Sequence, residues 1–308
     1  MSFLLTRRAP RGVAAGRVAV VTGAASGIGR EVALALARRG LRLALADIDS
    51  EGLAQTAARC GIEPSTIRCD EVDVSDADET AAWSKSIEAQ WGQADLVFNI
   101  AGVMFAGTVE RSTIDQMRRV MDIDYWGVVN TTKAFLPLVV AADAGRIVNM
   151  SSAFGLISSP SFAAYNSAKF AVRGFTDSLR QELAVTAPQV AVTAVYPGGV
   201  RTPIMARCGA ADGEDLSHHR YVFDRFLART EPDVAAERII RASDRGRRRV
   251  LIGADAHLAD YLARTTGTGY ERLMSIPRAR VRRMDASVQT HALSTDDNDD
   301  LGPSRQVC

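Results

Sequence analysis

The chain has 308 residues, enough for one large α/β domain with short extensions, and its 47% hydrophobic content can supply a sizeable core. A formal net charge of +1 leaves no long-range field for nucleic acid, and no basic stripe runs along the domain. No run of about 18 apolar residues is present to span a membrane.

Cys60, Cys69, Cys208 and Cys308 form no C-x-x-C pair, and no Cys/His cluster has zinc spacing, so no metal site is expected. Scattered cysteines in a long chain imply a reducing, cytoplasmic compartment without disulfides. His218–His219 is the one local histidine pair.

Residues 1–16 read as a flexible lead rather than a transit peptide, although Arg7, Arg8 and Arg11 precede any acid. A buried parallel-type strand is expected over 17–22, a helix over 29–40, a strand over 41–46 and a helix over 49–60. A strand over 65–70, a helix over 76–90 with an acidic first turn, and a strand over 95–99 follow. Residues 113–142 read as mostly helical, with interruptions near Gly127 and Pro137. Then come a strand over 146–150, a helix over 165–187 stopped by Pro188, and a strand over 190–195. Thr230-Glu231-Pro232-Asp233 opens another helix, and 249–252 is a last strand. The folded domain that opens at 17 is expected to end near 284, and the acidic residues beyond 285 read as a disordered tail. Strands alternating with helices predict an α/β fold: a doubly wound, Rossmann-type parallel sheet covered on both faces.

The first strand runs into Thr22-Gly23-Ala24-Ala25-Ser26-Gly27-Ile28-Gly29. Such a turn needs positive φ, and a pyrophosphate needs backbone free of Cβ, beside the positive end of a helix. Asp47 ends the second strand, 24 residues after Gly23, where an acid binds ribose hydroxyls and repels a 2′-phosphate. Asp73-Val74 and Asn99-Ile100-Ala101-Gly102 end the third and fourth strands along the same crevice.

Tyr165 and Lys169 share one helix face at i and i+4, so the ammonium is expected to lower the phenol's pKa. That suits Tyr165 to acid/base exchange with an alcohol or ketone. Ser152, 13 residues before Tyr165, can hydrogen-bond the reacting oxygen, and Ser151 is its adjacent rival.

Together these pieces resemble the compact, single-domain branch of the short-chain dehydrogenase/reductase family over roughly 17–203. The resemblance rests on T-G-x-x-x-G-I-G at Thr22–Gly29, Asp47, Asp73-Val74, N-x-A-G at Asn99–Gly102, Ser152, Y-x-x-x-K at Tyr165–Lys169, and P-G-x-V-x-T at Pro197–Thr202. It implies NAD as cofactor, with NADP as the alternative that Asp47 opposes and nearby Arg30, Arg38 and Arg39 leave open. It implies that Ser152 positions the substrate carbonyl, that Tyr165 exchanges the proton, and that Lys169 holds the nicotinamide ribose. Asn99 would contact the adenosine-side ribose, and Pro197, Gly198, Val200 and Thr202 would flank the nicotinamide. A homodimer or homotetramer through the helices near 127–142 and 165–187 is implied as well.

One departure stands out. The family usually carries asparagine where this chain has Asp124, three residues before Gly127. An aspartate still accepts hydrogen bonds but cannot donate unless protonated, so a rearranged proton relay is expected. Residues 203–230 fall where the family keeps a substrate lid. Met205, Tyr221, Phe223, Phe226 and Leu227 there suggest a moderately apolar secondary alcohol or ketone. The basic run Arg278–Arg283 reads as a solvated helix face. A non-catalytic dinucleotide-binding protein of the same fold is the alternative from a different class.

Overall fold

The computed structural model describes residues 15–272 and 274. The lead over residues 1–14, the basic run over 278–283 and the acidic tail lie outside them. The chain begins with β1 (Val18–Thr22), α1 (Gly27–Ala37), β2 (Arg42–Asp47), α2 (Ser50–Cys60), β3 (Ile67–Glu71), α3 (Ala77–Trp91) and β4 (Leu96–Asn99). After the short β5 (Phe105–Ala106) come α4 (Ile114–Met121), α5 (Gly127–Ala141), β6 (Arg146–Met150), α6 (Ala163–Thr186) and β7 (Ala191–Pro197). The remainder is β8 (Gly209–Ala210), α7 (Leu216–Val222), α8 (Pro232–Asp244), β9 (Arg249–Ile252) and α9 (Ala254–Thr266).

Seven strands form one sheet in the order β3-β2-β1-β4-β6-β7-β9, each pairing parallel to its neighbours. The order reverses between β1 and β4, and the crevice outside the strands' carboxyl ends is where such sheets bind ligands. Because both faces are covered, β1 is buried along its whole length and reads as a run of apolar residues without alternation. Leu36, Leu53 and Ile239 pack α1, α2 and α8 on one face. Trp83, Phe135 and Leu179 pack α3, α5 and α6 on the other. Each fully buried Leu or Val contributes roughly 1.5–3 kcal/mol.

Several expectations shift. The break between α4 and α5 is a π turn over Asp122–Trp126, directly before Gly127, whereas Pro137 lies inside α5 without ending it. An internal proline costs about 3 kcal/mol, and the burial of Phe135 and Val139 on either side offsets it. α1 begins at Gly27 rather than Gly29, and α6 begins two residues before Tyr165. α7 and α9 are additional to the elements that the sequence pattern predicts.

Candidate active site

A cleft of about 830 Å³ opens along the carboxyl ends of the sheet. Gly23, Ser26, Gly27, Ile28 and Gly29 line it from the β1–α1 turn, and Asp47 from the end of β2. Asp73 and Val74 follow β3, and Ala101 and Gly102 follow β4. Pro197, Gly198, Val200 and Thr202 border it after β7.

This cradle fits a dinucleotide. Gly23 has φ +68°, and a Cβ on Gly29 would collide with the Gly23 carbonyl, so the turn closes only without side chains. Ser26 precedes α1 without a side-chain cap, unlike Asp49 at α2 and Asp76 at α3, which both cap. The first N–H groups of α1 therefore remain for an anionic ligand. Asp47 accepts from the Ala25 N–H at 3.0 Å and the Asp49 N–H at 3.1 Å. These bonds fix the carboxylate's orientation and leave lone pairs for ribose hydroxyls.

Asn99 is placed differently from its expected ribose contact. Its side chain is buried and donates to Thr132 Oγ1 at 2.9 Å and to Asn149 Oδ1 at 2.8 Å. As the last residue of β4 it points toward α5 and does not border the cleft. Asn149 in turn donates to Thr176 on α6 at 3.0 Å, so the pair ties two strands to two helices.

The acid/base cluster forms where β6, α6 and the π turn meet. Tyr165, Lys169 and Ser152 all border the cleft. Lys169 Nζ lies 5.4 Å from the Tyr165 ring centre. Ser152 accepts from the Phe154 N–H at 3.1 Å, and its hydroxyl is one of the groups that lower the Tyr165 pKa. Ser151 instead donates to the Lys169 carbonyl at 2.8 Å, which makes it a backbone anchor and separates it from its neighbour.

Asp124 stands behind Lys169, outside the cleft and with no exposed surface. The π turn holds one extra residue per turn and swings this side chain inward. Its Oδ1 accepts from the Val103 N–H at 2.7 Å, and its Oδ2 pairs with Lys169 Nζ at 2.9 Å. Lys169 also donates to the Met150 carbonyl at 3.3 Å. The pair packs against Gly102, where a Cβ would lie 3.2 Å from Nζ.

Electrostatics depart from the simplest expectation. Burial pushes the Tyr165 phenol above its ordinary value; Lys169 and, less strongly, the Ser152 hydroxyl pull it down without cancelling that effect, and Asp124 adds to the rise. Burial pulls Lys169 down, yet Asp124 and Tyr165 together carry it above the ordinary lysine value, so it stays an ammonium. Burial likewise raises Asp124, against the attraction of Lys169 and the Val103 N–H.

The far end of the cleft is apolar. Residues 201–230 leave the sheet and return to it: the Arg201 N–H donates to the Thr230 carbonyl at 2.9 Å, and Val200 bridges Thr230. Ile204, Met205, Phe223 and Leu227 of this excursion face the cleft, whereas Tyr221 is exposed and does not border it. The side chain of Phe226 lies outside the described residues. Glu214 accepts from Ser161 Oγ at 3.2 Å and meets His219 Nε2 at 3.2 Å. This fastens the excursion to the segment that leads into α6.

The sequence pattern does not reveal the wall made by α9. Asp255 accepts from the Gly199 N–H at 2.6 Å and so fixes the turn after β7, and Leu258 and Leu262 border the cleft. Gly253, with φ +93° between β9 and α9, is the signal that marks this strand-to-helix turn. Phe154 and Ile157, in the loop after Ser152, border the cleft as well and carry no sequence signal of doing so.

A doubly wound sheet with this cradle and a Ser–Tyr–Lys cluster defines a nicotinamide-dinucleotide-dependent oxidoreductase. The model of the short chain dehydrogenase family matches residues 17–212, and the chain belongs to the short-chain dehydrogenase/reductase family. SadH of Mycobacterium tuberculosis H37Rv, named as an oxidoreductase, is 45% identical over 84% of this chain and 94% of its own. Dehydrogenase/reductase SDR family member 7B of Xenopus tropicalis is 31% identical over 88% of each chain. A short-chain dehydrogenase/reductase from Burkholderia phymatum in complex with NAD superposes with a TM-score of 0.72 at 25% identity, covering 96% of this chain and 98% of its own. No helix among the described residues is long and apolar enough to cross a membrane.

Proposed function

We propose that the protein interconverts a moderately apolar secondary alcohol and its ketone, with NAD(H) preferred over NADP(H). The observation that carries this reading is the meeting of Ser152, Tyr165 and Lys169 on one wall of a cleft whose other end is the glycine cradle with Asp47. When bound, the dinucleotide accepts a hydride in alcohol oxidation and donates one in carbonyl reduction. In oxidation Tyr165 takes the hydroxyl proton as its carbon–oxygen bond becomes a carbonyl; in reduction it returns that proton to the oxygen. Ser152 donates a hydrogen bond to the same oxygen and orients it. The Lys169 ammonium stabilises the phenolate during oxidation and binds the nicotinamide ribose, while Asp124 holds it in position.

Asp47 supports NAD because its carboxylate opposes a 2′-phosphate. Two arginines that could favour NADP are engaged elsewhere: Arg30 bonds Thr56 Oγ1 at 3.0 Å and the Ala25 carbonyl, and Arg39 pairs with Glu237 and Asp244 at 3.0 Å each. The apolar wall of Phe154, Ile157, Ile204 and Phe223 supports an apolar substrate. The same reading carries a homodimer or homotetramer through α5 and α6.

The test is a paired titration with NADH and NADPH, followed by nicotinamide fluorescence, and then turnover of apolar ketones. NADH is expected to bind more tightly and to reduce such ketones. Tighter NADPH binding would overturn the cofactor assignment, and binding of neither by folded protein would overturn the enzyme reading.

A further inference from the structure

A dinucleotide brings a doubly charged pyrophosphate to the cradle, and the loop Thr22–Gly29 carries no cationic side chain. Arg30 turns back onto the Ala25 and Gly52 carbonyls and Thr56. Lys169 is committed to Asp124. Arg119 on α4 also borders the cleft, without a bond to the cradle or the β2–α2 corner among the described residues. Arg207 has such a bond.

Thr202 lies against the cradle: a Cβ built on Gly27 would stand 3.1 Å from its methyl carbon. One tight turn follows, closed by the Arg207 N–H donating to the Pro203 carbonyl at 2.9 Å. The Arg207 guanidinium then reaches Asp49 Oδ2 at 3.4 Å, two residues beyond Asp47. The segment from Thr202 to Arg207 thus crosses the cleft from the start of α1 to the end of β2. A pyrophosphate and its adenosine ribose lie between those two points when the cradle and Asp47 are both engaged.

The Arg207–Asp49 contact is weak. It is long, Arg207 is 60% exposed and Asp49 33%, and the other Asp49 oxygen accepts from the Gly52 N–H at 2.8 Å. An exposed pair of this kind contributes about 0–1 kcal/mol. A phosphate offers the guanidinium a stronger, forked set of acceptors.

We propose that Arg207 is a cofactor-binding residue: its guanidinium leaves Asp49 for the pyrophosphate of the bound dinucleotide and straps the excursion over it. This inference rests on the dinucleotide reading above. It assigns Arg207 to cofactor retention, and it predicts equal effects on NADH and NADPH because both carry the pyrophosphate.

The experiment is stopped-flow release of NADH and NADPH from the full chain without substrate, comparing wild type, Arg207→Ala and Asp49→Asn, with thermal melts to check folding. Arg207→Ala is expected to speed release of both dinucleotides about five- to ten-fold, the effect of losing one partly exposed charge-assisted contact. Asp49→Asn retains a helix-capping oxygen and frees Arg207, so release is not expected to quicken. Unchanged release from Arg207→Ala would reduce the contact to a surface ion pair and overturn the proposal. An effect on NADPH alone would assign Arg207 to the 2′-phosphate instead, and equal acceleration in both variants would show that the ion pair itself holds the excursion. If wild type bound neither dinucleotide, the proposed function would fail; normal binding with unchanged release in Arg207→Ala would sink this inference alone.

Discussion

On the dinucleotide side of the cleft the chain is held by backbone. The β1–α1 turn depends on Gly23 and Gly29, the start of α1 offers bare N–H groups, and Asp47 is oriented by two amide hydrogens. At the apolar end the walls are side chains: Phe154, Ile157, Ile204 and Phe223, drawn from segments far apart in the chain. The first side tolerates almost no added atoms. The second can change shape by repacking, since volume-conserving swaps among apolar residues usually cost under about 1.5 kcal/mol. Tyr165 and Lys169 stand where the two sides meet, backed by the Asp124 ion pair.

Substitutions separate the two sides. Tyr165→Phe removes the proton-exchanging oxygen while leaving the cradle intact; turnover is expected to fall about 10³-fold with NADH affinity retained, measured by steady-state rates beside fluorescence titration. Loss of NADH binding in that variant would break the division. Ile204→Asp places a charge in the apolar wall and is expected to raise KM for an apolar ketone about 30-fold, again with NADH affinity unchanged. Gly29→Ala strikes the other side: the collision with the Gly23 carbonyl is expected to cost about 1–3 kcal/mol in a denaturation experiment and to weaken NADH binding.

The subtlest effect lies at the junction. The Asp124 charge adds to burial in holding the Tyr165 phenol above its ordinary value. The proposed alcohol oxidation needs the phenolate, so kcat/KM is expected to rise with pH as Tyr165 loses its proton. Asp124→Asn removes a negative charge and leaves the Lys169 ammonium unopposed, which favours phenolate, so this limb is expected to move to lower pH. A pH–rate profile reads the direction. Movement to higher pH would mean that Lys169 loses its proton along with its counter-charge.

Much of the dinucleotide side is legible in the sequence, because its demands fall on residue type at fixed spacing. A positive-φ turn asks for glycine at Gly23, and a strand end asks for an acid at Asp47. Tyr165 and Lys169 are legible because helical spacing alone brings them together. Asn99 misleads: residue type and position match a ribose contact, but its orientation depends on Thr132 and Asn149, far away in sequence. The Tyr165 pKa misleads for a similar reason, since the spacing reveals the lysine but not the depth of burial. The α9 wall is hidden because Leu258 and Leu262 look like any helix face until tertiary packing brings them to the cleft.

The excursion over residues 201–230, which borders the apolar end of the cleft, is docked at its middle by main-chain atoms. β8 pairs with β5 in parallel, the Gly209 N–H donates to the Met104 carbonyl at 3.0 Å, and the Ala211 N–H donates to the Ala106 carbonyl at 2.9 Å. Such bonds ask for small residues where the strands touch, at Gly107 and Gly209, and otherwise make no demand on side-chain chemistry. The segment can therefore drift in sequence, or be exchanged for that of a relative, while keeping its seat, and new specificities can arise there without rebuilding the chemistry below.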